Sequence, residues 1–317
     1  MKLKLFPLIL VLSLSSCSNN NKVINSKVFC FDTLVNITLY EGKEDNVKDI
    51  VKIVNDFDKI SDNYQTRNVT NVFSINSTNE SLNVSDNLYE LLKTSFKVNE
   101  EGAKYFNPFI GSLSKKWKEA LKNKQVLSSD VIESELKKMN ESSIEFLDDL
   151  KVKRNGEAEI DLGAIAKGYT LDKVKDYLTT NNISHYLVDA GSSSILLGEK
   201  VSEDGYFSVG ISGLTDAYLN LKNCVISTSS NATQGVEIDG VTYSHIINPL
   251  NGSAINLHDA VIVVGDKGYQ GDALSTSLVN ASIDEIKDIE NSLNVKTIVI
   301  DDDSIAYKNE SLEVKYH

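Results

Sequence analysis

From residue 157 onward the chain reads as a succession of short apolar runs, near 157–162, 184–189, 194–198, 205–211, 217–228, 236–247, 259–265 and 296–301. Helical spacing interrupts them only at about 165–180, 270–280 and 283–293. A parallel doubly wound sheet needs a helix after nearly every strand, so that class fits poorly, and no fixed short repeat points to a solenoid. The pattern predicts an α+β fold with strands mostly joined to strands. The first half supplies the helices. Val47, Ile50, Val51, Val54, Phe57 and Ile60 keep helical spacing, as do Leu88, Leu91, Leu92, Ser95 and Val98, and further helical stretches reach about Asn140. Before them Val35, Ile37 and Leu39 alternate with polar neighbours as a half-buried strand does. Only three prolines occur and no Gly/Ser-rich linker divides the interior, which predicts one compact unit of one or two lobes.

The N-terminus carries Lys2 and Lys4, then an apolar run from Leu5 to Leu14. That run is too short to span a bilayer and reads as a secretory signal. Leu14-Ser15-Ser16-Cys17 resembles the bacterial lipobox, in which the cysteine is acylated and becomes the new N-terminus; the other reading is an ordinary signal peptide. The expected organisation is a lipoprotein signal over 1–16, lipidated Cys17 with a polar tether over 17–26, and one domain over 27–317. That places the protein at the outer face of a bacterial membrane, held by lipid. The formal net charge is −13 and deepens once the leader lysines are removed, which argues against nucleic acid and against anionic lipid surfaces. An anionic ligand must therefore be held by local devices. Three cysteines make no disulfide framework, and no Cys/His cluster suggests zinc; Cys30 and Cys224 are expected in the core.

Three segments carry chemistry. In Asp161-Leu-Gly-Ala-Ile-Ala-Lys-Gly168 an apolar run ends in a carboxylate, and a small-residue helix follows with Lys167 in its first turns. An acid, free backbone groups and an ammonium at one point suit a polyphosphate and a hard cation. In Gly271-Asp272-Ala-Leu-Ser275-Thr276, a helix would put Asp272 and Thr276 on one face, with Cβ atoms about 5–6 Å apart, as ligands for one small cation. Spacing alone favours the plainer alternative, an Asp N-cap with Thr276 facing the core. In Tyr243-Ser-His245-Ile-Ile-Asn248-Pro-Leu-Asn251-Gly252 a strand delivers His245 into a turn, a good position for a general base, although a lone strand histidine is more often structural.

Together these segments resemble the ApbE family of FAD:protein FMN transferases, whose motifs run D-L-G-G-I-A-K-G, Y-S-H-I-I-D-P-x-T-G and A-D-A-L-(S/A)-T in that order. Phe29-Cys-Phe-Asp-Thr33, Asp58 to Tyr64, Gly102 to Pro108, Leu187 to Gly191 and Ser227-Thr-Ser229 extend the resemblance over most of the chain. It departs from the family pattern at Phe31 and Asp32 (for Met-Gly), Asn107 and Asn248 (for Asp) and Ser192 (for Gly). The resemblance implies a compact ApbE-like fold of mixed, mostly antiparallel sheets with flanking helices. It also implies Mg²⁺-dependent transfer of FMN from FAD to a threonine of a partner protein, through a phosphoester bond and with release of AMP. The alternatives it leaves are an Mg²⁺-dependent FAD pyrophosphatase and a non-catalytic FAD-binding lipoprotein. Carried over by position, Asp161, Lys167 and Ile246 contact FAD. Phe31, Tyr64, Tyr105, Phe106 and Asn107 line the ring sites. Ala164 (through its carbonyl), Asp272, Ser275 and Thr276 ligate the metal, and His245 is the base. The implied partner is a membrane-anchored, redox-active protein carrying a threonine motif.

Overall fold

The computed structural model describes residues 23–231 and 235–317. The expected signal peptide and Cys17 lie outside the described residues. In chain order the elements are β1 (Ile24–Cys30), β2 (Thr33–Leu39), α1 (Glu44–Ser61), α2 (Val72–Asn76), β3 (Leu82–Asn83), α3 (Asp86–Lys97), α4 (Gly111–Lys122), α5 (Ser129–Glu141), β4 (Ser143–Leu147) and β5 (Lys151–Asn155). They continue as α6 (Ala166–Thr180), β6 (Tyr186–Ala190), β7 (Ser194–Leu197), β8 (Phe207–Gly210), β9 (Ala217–Leu221), β10 (Cys224–Ser230), β11 (Val236–Ile238) and β12 (Val241–Tyr243). Last come β13 (Ala260–Gly265), α7 (Gly268–Leu278), α8 (Ile283–Leu293), β14 (Lys296–Asp301), β15 (Ser304–Lys308) and β16 (Val314–Tyr316).

The fold is α+β, as expected. Its main sheet has eight strands in the order β1-β2-β6-β7-β10-β13-β14-β15, antiparallel at every pairing. Its central strands are covered on both faces, which is why β13 reads as an unbroken apolar run, Ala-Val-Ile-Val-Val. Alternation sorts their side chains. Ile226, Ile262, Ile298 and Ile300 pack with Phe207 and Leu219 of the small sheet β16-β9-β8. Val225, Val261, Val263 and Val299 take the other face, where the helices lie. Cys30 and Cys224 are free and buried, and burial pushes both thiols up to about 12, so neither is a reactive thiolate.

Two sequence expectations need correction. The segment 157–162 is extended but is no strand: Gly111 donates to the Glu159 carbonyl (2.9 Å), Asp161 donates to the Pro108 carbonyl (2.8 Å), and the Asn76 side chain bonds both backbone groups of Ile160. Its backbone groups are thus spent on loops and a side chain rather than on a ladder. The polar tether also ends earlier than expected. Ile24, Ser26, Val28 and Cys30 are buried in alternation with exposed neighbours, and β1 pairs with β2 along its whole length. Ile24–Ser26 therefore belong to the domain.

Candidate active site

Helices α6 and α7 cross at a glycine pair. A Cβ built on Gly168 would lie 2.0 Å from the Gly268 carbonyl oxygen, and one on Gly268 would lie 2.2 Å from that of Gly168. Only two residues without side chains permit this approach. The contact brings the first turn of α6 against the first two turns of α7, so the Gly168 N–H, free at a helix N-terminus, donates to Asp272 Oδ2 at 2.6 Å. Asp172, one turn further along α6, accepts from the N–H groups of Gly268 and Tyr269 (2.7 and 2.9 Å) and so caps α7.

Asp272 is 5% exposed and lies inside α7, not at its start. The N-cap alternative favoured by spacing is thereby set aside; Thr276 likewise faces the cleft and not the core. The other Asp272 oxygen, Oδ1, accepts from Ser194 Oγ and Ser227 Oγ, each at 2.7 Å. Burial raises the carboxyl's pKa, while the Lys167 ammonium and these donors pull it back. Further toward the cleft mouth Ser229 Oγ lies 3.0 Å from Ser275 Oγ and 3.2 Å from Thr276 Oγ1. The face of β10 that is apolar at Val225 thus becomes hydroxyl-bearing at Ser227 and Ser229.

Ser194, Ser229, Asp272, Ser275 and Thr276 line a cleft of about 530 Å³. The Ala164 turn, Lys167, Asp161, Asp272, Ser275 and Thr276 share it with His245 and Ile246, and the Phe31 turn and Tyr105-Phe106-Asn107 also border it. Tyr64 does not line this cleft. It is half exposed, with the Lys115 and Lys118 ammonium groups 5.1 and 5.0 Å from its ring.

Phe31 and Asp32 form the two-residue turn between β1 and β2, both with positive φ (53° and 56°). That turn suits the sheet's twist but is unusual for phenylalanine. Asp58, on α1, accepts the Phe31 N–H at 2.6 Å and ties the turn to the helix. Asn107 accepts the Phe109 N–H (2.9 Å) and Asn248 the Leu250 N–H (3.0 Å). Each uses only an acceptor oxygen, which an aspartate also offers, so the local turns survive the exchange. Ser192 takes the left-handed conformation (φ 60°) in place of glycine, with its N–H bonded to Asp189 Oδ1 at 2.6 Å.

His245 sits on a loop that folds back between β12 and β13, closed by Ser244 N to Ala254 O (2.6 Å) and Gly252 N to Asn248 O (2.8 Å). Trp117 secures it: Nε1 donates to the Gly252 carbonyl at 2.9 Å, and the indole stacks on Tyr243. The imidazole projects into the cleft, where solvent reaches it although protein surrounds it. That desolvation, with Lys167 nearby, lowers its pKa below the ordinary 6.5 and favours the neutral, proton-accepting ring.

The donor set at Asp272 is oxygen only, and among the described residues no group of three or more His, Cys, Asp or Glu side chains could hold a metal ion. One carboxylate with hydroxyls and a carbonyl suits Mg²⁺, which keeps waters and takes its remaining ligands from a phosphate. The residues present fit that ion and disfavour a soft one.

Sequence reasoning missed Ser194, Ser227, Ser229 and Gly268 as parts of the site. The signal was present in β10, where alternate positions change from valine to serine on one face.

The architecture defines an antiparallel α+β protein with a hydroxyl-rich cleft where crossed helices meet a sheet. It superposes on the crystal structure of an ApbE protein from Thermotoga maritima with a TM-score of 0.74 at 21% identity, covering 93% of this chain and 97% of that one. The flavin transferase ApbE of Vibrio cholerae gives 0.71 at 19% identity, covering 96% and 98%. A model of the ApbE family matches residues 31–299, and the chain belongs to that family. It is similar to the FAD:protein FMN transferase of Chlamydia pneumoniae, 25% identical over 293 residues that cover 87% of this chain and 90% of the relative. It is also similar to the FAD:protein FMN transferase of Treponema pallidum (strain Nichols), 27% identical over 215 residues. That match covers 61% of this chain and 59% of the relative.

Proposed function

We propose that the protein is a transferase that moves FMN from FAD to a threonine hydroxyl of a partner protein, with Mg²⁺ as cofactor and AMP as leaving product. The observation that carries this is the meeting of the Ala164 turn, Lys167, His245 and the Asp272–Thr276 face in one cleft. The names of the curated relatives point the same way.

In this reading the FAD diphosphate lies between the start of α6 and the cleft face of α7. Asp272, Ser275, Thr276 and the Ala164 carbonyl hold the cation. Bound there, Mg²⁺ supplies charge neutralisation at the phosphate oxygens, the main demand of phosphoryl transfer. Lys167 adds a second positive charge, and Asp161, Ile246 and the Tyr105-Phe106-Asn107 turn position the nucleotide with Phe31. His245 accepts the proton of the threonine Oγ as that oxygen bonds to the FMN phosphorus, and the bond from that phosphorus to the AMP oxygen breaks. A base of this kind contributes roughly 10²–10⁴-fold to the rate. The same reading has a lipid on Cys17 hold the enzyme at the outer face of a bacterial membrane, with a membrane-anchored redox protein as acceptor.

The test is to mix the protein with FAD, Mg²⁺ and a partner bearing a candidate threonine motif, then follow AMP and covalent flavin fluorescence. AMP with labelled partner supports transfer. AMP with free FMN means hydrolysis, and retained FAD with neither product means a binder. Asp272→Ala should abolish Mg²⁺-dependent turnover and weaken FAD binding less; full activity in that variant contradicts the metal assignment.

A further inference from the structure

Asp272 has four lone-pair positions on its carboxylate. Two protons from Ser194 and Ser227 fill those of Oδ1, and the Gly168 N–H takes one on Oδ2. One position remains. The two serines are cross-strand partners on β7 and β10, so their hydroxyls rise side by side from the sheet. Ser194 is 1% exposed and Ser227 fully buried. Gly271 leaves the room they need, since a Cβ there would come within 2.8 Å of Ser227 Oγ.

We propose that Ser194 and Ser227 are positioning residues for the metal-binding carboxylate: a hydroxyl pair that pins Asp272 Oδ1 so that a free lone pair of Oδ2 is presented to the cation. This rests on the function proposed above. Three donors from three separate elements, β7, β10 and α6, fix the rotation of the carboxylate about its Cβ–Cγ bond. Partners of this kind outside the ligand set typically govern 10–100-fold in metal affinity. The polar end of β10 thereby acquires a purpose, which the apolar run before it does not need.

The test titrates Mn²⁺ into the purified protein and reads the free ion by electron paramagnetic resonance, beside thermal melting. Ser194→Ala and Ser227→Ala remove the donors, and Ser227→Cys keeps the volume with a poor donor in case the alanine variants fail to fold. Each should bind Mn²⁺ about tenfold or more weakly. The Mg²⁺ concentration for half-maximal turnover should rise with it, while the rate at saturating Mg²⁺ changes little. Ser227→Thr, which keeps the hydroxyl, should restore the parent affinity. Parent affinity in the folded alanine and cysteine variants, or a threonine variant as weak as alanine, overturns the proposal. Asp272→Ala serves as the control. If it binds Mn²⁺ like the parent, the metal reading itself fails; if it loses Mn²⁺ while the serine variants keep it, only the positioning role fails.

Discussion

At the scale of single residues the site turns on where protons and charges are kept. His245 stands in a protein-lined cleft beside Lys167, and both the desolvation by surrounding protein and the ammonium favour its neutral ring. The acid limb of the pH–rate profile should therefore fall below 6.5, with activity lost as pH drops through the lowered pKa and the ring gains its proton. His245→Ala should cost roughly 10²–10⁴-fold in transfer and leave FAD binding intact. An unchanged acid limb in that variant, or an undiminished rate, assigns the base elsewhere. The sequence carried much of this site, because Asp161, Lys167, His245 and Asp272 sit in motifs whose residue types are rare together. It carried less of the support. Serines are common, and nothing in the string Ser-Thr-Ser says that β10 turns its 227 and 229 hydroxyls toward a helix 45 residues later. Spacing alone reads Asp272 as a cap for a related reason: an Asp at an apparent helix start looks like one until the helix is seen to begin at Gly268.

At the scale of elements the decisive contact is the crossing of α6 and α7. Gly168→Ala places a methyl group against the Gly268 backbone, so one helix must move. Overpacking of this kind costs about 1–3 kcal/mol, and here it also separates the Gly168 N–H from Asp272. The variant should melt lower and lose activity by more than its stability loss accounts for; an unaltered melting temperature and rate contradict the close crossing. Asp172 joins the same two helices from behind. Burial, opposed by the two amides it caps, raises its pKa to about 6 against an ordinary 3.8. A group with a raised folded pKa stabilises the fold fully below its unfolded value and loses that contribution as pH rises through the folded one. Stability from Asp172 should therefore decline between about pH 4 and pH 6. Asp172→Asn should flatten that part of a chemical-denaturation profile across pH, and an unchanged slope there removes Asp172 as its cause. Helical spacing predicted α1, α3 and α8 closely, because amphipathic segments speak locally. The loop at 157–162 misled, since an apolar extended run looks the same whether its partners are strands or side chains such as Asn76.

For the molecule as a whole, one antiparallel sheet and two small-residue helices bring segments more than a hundred positions apart into one cleft. The α+β class was readable from strands that follow strands. The strand order was not, because β2 pairs with β6, β7 with β10 and β10 with β13 across stretches of chain that no local pattern joins. The proposed function requires the Ala164 turn and the Asp272 helix to grip one cation between them. Crystals grown with Mn²⁺ and ADP, measured near the manganese absorption edge, test it directly. The expected result is one strong anomalous peak bounded by the Ala164 carbonyl, the Asp272 carboxylate and the Thr276 hydroxyl, next to the diphosphate. A bound diphosphate with its manganese elsewhere, or with none in that cleft, contradicts it.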